Sequence, residues 1–172
     1  MRGDMDAMST DAPRLRPPHH RVDRRAIRWW TTRSLAVTVG LTAPLVVPAV
    51  IWEAPRIWFL LAAGVVGGIG LLITFLMPQW RYRVHRWEVT DTAVYTSSGW
   101  IWQEWRVAPM SRIQTVDTAR GPLQRMFGLS SITVTTASAA GPIEIAGLDH
   151  AQATEVADRL TETTQATPGD AT

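Results

Sequence analysis

Two long runs without a charged residue fill much of the first half of the chain, and short alternating runs fill the second. Ser34 to Trp52 reads SLAVTVGLTAPLVVPAVIW, and Ile57 to Trp80 carries IWFLLAAGVVGGIGLLITFLM. A helix needs about 20 apolar residues to cross a hydrocarbon core roughly 30 Å thick. The second run exceeds that need. The first just meets it, and Pro44 and Pro48 are expected to kink it. Two such runs are hard to bury inside so short a chain, so the pattern predicts a transmembrane helical hairpin over 34–80, with spans at 34–52 and 57–78. Only Glu53, Ala54, Pro55 and Arg56 join them, which forces the helices antiparallel.

From Arg81 the period changes to that of strands broken by turn residues. Tyr82 and Val84, then Trp87 and Val89, read as a first strand with a bulge near His85. Thr90-Asp91-Thr92 is a turn; Ala93 to Ser98 is a second strand, and Gly99 leads into a third, Trp100 to Val107. Ile113 to Ala119 makes a fourth, and Gly121-Pro122 opens a helical turn over Leu123 to Phe127. Ser131 to Thr136 and Pro142 to Ile145 are the last strands, joined by the loop ASAAG. A helix from about His150 to Thr163 closes the domain. Asp149 caps it, Ala153, Val156, Ala157 and Leu160 form its apolar face, and Glu155 and Arg159 pair on the other side. The expected fold is a small, strongly bent sheet of six or seven strands plugged by that helix. The domain occupies 81–163, with disordered tails at 1–20 and 164–172.

Charge adds an orientation. All 17 basic residues are arginine. Seven of them, from Arg14 to Arg33, precede the first span, Arg81, Arg83 and Arg86 follow the second, and the connecting loop has Arg56 alone. The positive-inside bias places both termini in the cytoplasm. Trp29, Trp30 and Trp80 are then expected at the inner membrane interface, with Trp52 and Trp58 at the outer one. The basic juxtamembrane stretch 21–33 sets topology and is suited to anionic head groups.

Chemistry narrows the picture further. The chain has no cysteine, which excludes disulfides, thiolate catalysis and cysteine metal sites. His19, His20, His85 and His150 are scattered, no Ser-His-Asp grouping or phosphate loop is evident, and no carboxylate pair stands out. No catalytic residue, metal ligand or cofactor is assigned, and no small-molecule substrate or nucleic acid is indicated. Arg112, Arg120 and Arg125 flank the fourth strand and the helical turn as a candidate lipid or partner-binding edge. The structural alternative, pairing with Asp117 or backbone, is slightly favoured. Gly64 and Gly68, four apart in the second span, are candidate helix-packing positions, either against the first span or in a dimer; so are Ala63 and Gly67. Trp100, Trp102 and Trp105 are read first as core, with a protein contact or the membrane interface as the alternative.

Several motifs then fall in a familiar order: Pro109-Met110-Ser111-Arg112-Ile113-Gln114, Val116-Asp117, Gly121-Pro122-Leu123, Phe127-Gly128-Leu129, and Ile143-Glu144-Ile145-Ala146-Gly147-Leu148. With the hairpin before them, residues 21–163 resemble the YdbS-like family of bacterial pleckstrin-homology (PH)-like membrane proteins. The resemblance implies a membrane-anchored α+β protein, in which a two-helix transmembrane hairpin precedes a PH-like partly open β-barrel with a C-terminal helix. It also implies a non-catalytic role on the inner face of the cell membrane, next to a larger relative with several such domains, in sets linked to membrane stress. A eukaryotic-style phosphoinositide site needs basic residues in the first strand-connecting loop, but Thr90-Asp91-Thr92 is acidic if anything, so fold similarity does not extend to that ligand. Three readings follow: a module that assembles with itself or a larger PH-domain membrane partner, an accessory subunit of a transport or export complex, and a small membrane enzyme, for which no reactive constellation is found.

Overall fold

The computed structural model describes residues 18–138 and 141–166. The tail expected over 1–20 thus lies, for residues 1–17, outside the described residues, as do 139–140 and 167–172.

Two helices come first, after a two-residue strand β1 (His20–Arg21): α1 (Arg25–Ile51) and α2 (Arg56–Val84). At 1.5 Å per residue each is about 40 Å long, more than a bilayer core requires. The excess lies at the domain end, where both helices run on past their apolar runs. The seam between them is built from small and hydroxylated residues. Gly70 passes so close to Thr38 that a Cβ there would sit 2.5 Å from its Cγ2, and Thr38 and Thr74 hydroxyls lie 3.4 Å apart. Both threonines also return a hydrogen bond to the carbonyl four residues back, which satisfies the hydroxyls inside an apolar setting. At the far end the Arg56 Nε donates to the Ala49 carbonyl at 3.0 Å and closes the connecting loop.

After α2 come β2 (Arg86–Val89), β3 (Ala93–Gly99), β4 (Gln103–Pro109), a 3-10 turn (Met110–Arg112), β5 (Ile113–Ala119), α3 (Pro122–Phe127), β6 (Leu129–Thr136), β7 (Ile143–Asp149) and α4 (His150–Ala166). They form two antiparallel sheets, β1-β2-β3-β4 and β5-β6-β7. Buried Val94, Leu129, Ile132, Val134, Ile145 and Leu148 fill the space between them, and Ala153 and Leu160 of α4 close it. The two sheets do not join into a closed barrel, which gives the partly open PH-like architecture.

Six expectations need correction. The tail placed at 164–172 starts too early, because α4 runs to Ala166, and Arg159 pairs with Asp91 rather than with Glu155. The change of face near His85 is not a bulge: α2 stays helical to Val84, and His85 switches to extended backbone (φ −71°, ψ 105°). Bulges fall instead between Ile113 and Thr115 and between Ser130 and Ser131. The third strand starts at Gln103, because Gly99 takes φ +124° and turns Trp100 to Trp102 into a loop. The tail boundary at residue 20 falls inside β1, where His20 pairs with Trp87 and stacks on it at 5.1 Å. Lastly, Trp29 and Trp30 are not exposed anchors for a membrane interface. Both are buried in the domain core, Trp30 to 2 % exposure.

That burial joins hairpin to domain. Gly147 of β7 adopts φ +84°, and a Cβ there would lie 2.8 Å from the Ala26 Cβ. The Asp23 amide donates to the Gly147 carbonyl at 3.0 Å. Arg25 pairs with both Asp23 and Asp149, holding their carboxyls below the usual carboxylate range. The start of α1 is therefore stapled to the end of β7.

Candidate functional site

Three groups of residues carry the candidate chemistry. The first is the basic edge. Arg112 lies in the 3-10 turn before β5, and Arg120 lies just after β5. Seven strand residues separate them, so at about 3.3 Å per residue they stand at opposite ends of the strand, roughly 25 Å apart along it. Arg125 is on α3, near Arg120 in sequence. Arg112 and Arg125 are exposed; Arg120 is half-buried, and its Nε has no hydrogen-bond partner. The three do not converge on one ligand.

The second group is on the helices. Gly64 and Gly68 face away from α1, with open space where a Cβ would stand. The intrachain seam uses the neighbouring stripe instead, Ala63, Gly67, Gly70 and Thr74. The favoured reading of Gly64 and Gly68 as contacts with the first span is therefore not what the geometry provides.

The third is an apolar patch on β4 and the loop before it. Trp102 is 86 % exposed and Trp105 43 %, and Ile101 and Val107 are exposed with them. The core reading of these tryptophans fails for Trp102 and Trp105. Trp105 and Val107 share the outer face of β4, while Ala108, Arg106 and Glu104 point to the inner one. The parity follows from the register, in which Ala108 lies opposite the fully buried Val94. Leaving each large apolar side chain in water forgoes about 2 kcal/mol of burial, so a contiguous patch of this kind marks a contact surface. β4 is also an edge strand, bonded to β3 alone. The loop lies at the hairpin side of the domain: Arg86 at the start of β2 pairs with Ser97, so Gly99 and the loop continue past it toward α2.

Under this loop the inner face opens into a cavity of about 210 Å³, lined by Arg81, His85, Thr96, Ser98, Glu104, Arg106 and Glu144 among others. Arg106 spans the gap between the sheets, donating to the Pro142 carbonyl at 2.8 Å and pairing with Glu104 at 2.7 Å. His85 is 3 % exposed, its Nδ1 has no hydrogen-bond partner, and burial, aided by the charge of Arg81, pushes its pKa down to about 4. It therefore stays neutral near neutral pH. The sequence marked His85 only as a strand residue; its alternation with Trp87 was the one signal that it faces inward. His150 has a different role, its Nδ1 lying 3.0 Å from the buried Ser130 hydroxyl and tying α4 to β6.

Two long apolar helices feeding a split, helix-capped pair of antiparallel sheets define a membrane-anchored PH-like protein. The family comparison agrees: residues 34–164 match the model of the bacterial PH domain family, and the chain belongs to that family. It is 24 % identical over 157 residues to the transmembrane protein YdbS of Bacillus subtilis (strain 168), an alignment covering 89 % of this chain and 97 % of that one. The match begins at Ser34, so the likeness includes the hairpin and not the sheets alone. No solved structure matches.

Proposed function

We propose that this protein is a non-catalytic, multi-pass protein of the cell membrane, with both termini in the cytoplasm. It displays the PH-like domain on the inner face as an interaction module, assembling with itself or with a larger PH-domain membrane protein. The observation that carries this reading is the patch of Ile101, Trp102, Trp105 and Val107 on an edge strand of a domain whose own core is already complete. The arginines on the domain side of both helices support the orientation. The join through Gly147, Trp29 and Trp30 gives the module a fixed attitude to the membrane, so that only part of its surface is open to a partner. Tolerance of membrane stress is the setting to which the family resemblance points.

The test is purification of the tagged full-length protein in mild detergent, with mass spectrometry of what accompanies it, repeated for Trp105→Glu. The expected result is a stoichiometric second membrane protein, or a second copy, lost about tenfold in the variant. A monomer without a partner would overturn the assembly reading. The second reading, an accessory subunit of a transport or export complex, draws on the outward face of Gly64 and Gly68. It predicts that the partner survives Trp105→Glu and is lost with Gly68→Val.

A further inference from the structure

Between the helices a groove of about 380 Å³ runs alongside the Thr38–Gly70 contact, from Leu41 and Val66 to the domain end. Its walls are apolar, with Val37, Leu41, Val66, Ile73 and Met77 facing it. At the domain end the chemistry changes abruptly to Trp30, Arg33, Ser34 and Arg81. Arg81 also lines the polar cavity of the domain, so the groove and the cavity meet at one guanidinium. That guanidinium lies over the Trp30 ring, 4.7 Å from its centroid, and neither Arg81 nor Arg33 forms an ion pair among the described residues. Beyond Arg81 the cavity offers acceptors. Glu104 is committed to Arg106, whereas Glu144 forms no ion pair at contact distance among the described residues and acts on Arg81 through space.

An apolar slot, then two arginines without an ion pair, then a carboxylate follow the order of an aminophospholipid: acyl chain, phosphate, ammonium. We propose that this continuous site binds one phospholipid of the domain-facing leaflet, of the phosphatidylethanolamine type. Its acyl chain lies in the groove between α1 and α2, its phosphate between Arg33 and Arg81, and its ammonium against Glu144. Arg81 is the main phosphate-binding element, because the cation–π contact with Trp30 holds its guanidinium in place; Glu144 supplies the selectivity for an ammonium. Arg33, exposed on α1, adds the second positive charge at the level where the phosphate of a lipid seated in the groove would lie. The size fits as well: a water's share of liquid volume is about 30 Å³, so a cavity of about 210 Å³ has room for an ethanolamine head group. The site uses none of the side chains of the apolar patch, although Glu104 and Arg106 of the same strand line the cavity.

The experiment uses full-length protein, purified in detergent and stripped of lipid, titrated with short-chain phosphatidylethanolamine, phosphatidylglycerol and glycerophosphoethanolamine while tryptophan fluorescence and native mass are followed. The site predicts one tightly held phosphatidylethanolamine per chain, binding at least about tenfold tighter than phosphatidylglycerol, and weak binding of the chainless head group. Arg81→Gln weakens binding about tenfold or more, and so, more mildly, does Arg33→Gln, whose exposed position leaves folding intact. Glu144→Gln removes the preference between the two lipids while keeping affinity for phosphate. Equal binding of both lipids by the wild type, or affinity unchanged in both arginine variants, would overturn the proposal, leaving only general solvation by lipid. Glycerophosphoethanolamine binding as tightly as the diacyl lipid would overturn the groove's part in it.

Discussion

Gly147 and His85 bear most directly on how this molecule holds together. At Gly147 the backbone is left-handed and its Cα faces Ala26 of α1 at a distance that leaves no room for a methyl group. Gly147→Ala combines the strain of a non-glycine residue at positive φ with overpacking, and about 3 kcal/mol of stability should be lost. Thermal unfolding of the full-length protein in detergent measures this; an unchanged midpoint would remove Gly147 from the join. His85 makes stability depend on pH. An unfolded histidine titrates near 6.5, whereas this one titrates at about 4. Above 6.5 both states are neutral, and the residue contributes nothing to the pH dependence. As pH falls from 6.5 toward 4 the unfolded chain takes up a proton that the native cavity refuses. Roughly 3 kcal/mol is then lost over that window. Asp23 and Asp149, held low by Arg25, add a further loss only below about pH 4. His85→Gln should therefore flatten the melting temperature between pH 6.5 and 4.5; an unaltered slope would place its origin elsewhere.

At the level of elements, the two glycine stripes of α2 separate cleanly. A Cβ on Gly70 would collide with Thr38, whereas one on Gly68 would meet no described residue. Gly70→Val is expected to destabilise the hairpin and to raise protease cleavage near the connecting loop, while Gly68→Val leaves the isolated protein as stable as the wild type. Equal loss in both would show that the helices pack in another rotation. The helices, most strands and α4 were legible in advance, because long uncharged runs and period-two alternation are local signals. The end of α2 was not. Tyr82 and Val84 alternate like a strand, yet helical continuity from Trp80 carries through them, and only the packing of His85 and Trp87 between the sheets stops it. The Trp100–Trp105 ribbon misled for a related reason: the turn depends on the positive φ of Gly99, and parity counting across a turn assigns the wrong face.

For the molecule as a whole, the sequence reading separated a juxtamembrane stretch from a domain, and the structure merges them. Val22, Ala26, Trp29 and Trp30 belong to the same core as Leu129 and Leu148. Nothing local marks those residues as core, since a basic segment with a tryptophan pair also suits a membrane surface. Their partners, from Arg81 and His85 to Gly147, lie about fifty to more than a hundred residues away, beyond the reach of periodicity. Of the candidate site, individual positions were visible but their grouping was not: the arginines of β5 and α3 stand apart, and the cavity assembles from α2, β3, β4 and β7. The account rests on the orientation of this unit across the membrane, and the absence of native cysteine allows a direct test. Single cysteines at Ala54, in the helix connection, and at Thr161, exposed on α4, are treated with a membrane-impermeant maleimide in spheroplasts. The predicted result is rapid labelling at position 54 and labelling at position 161 only after the membrane is opened. Labelling of position 161 in sealed spheroplasts, with position 54 protected, would put the domain on the outer face and contradict the account.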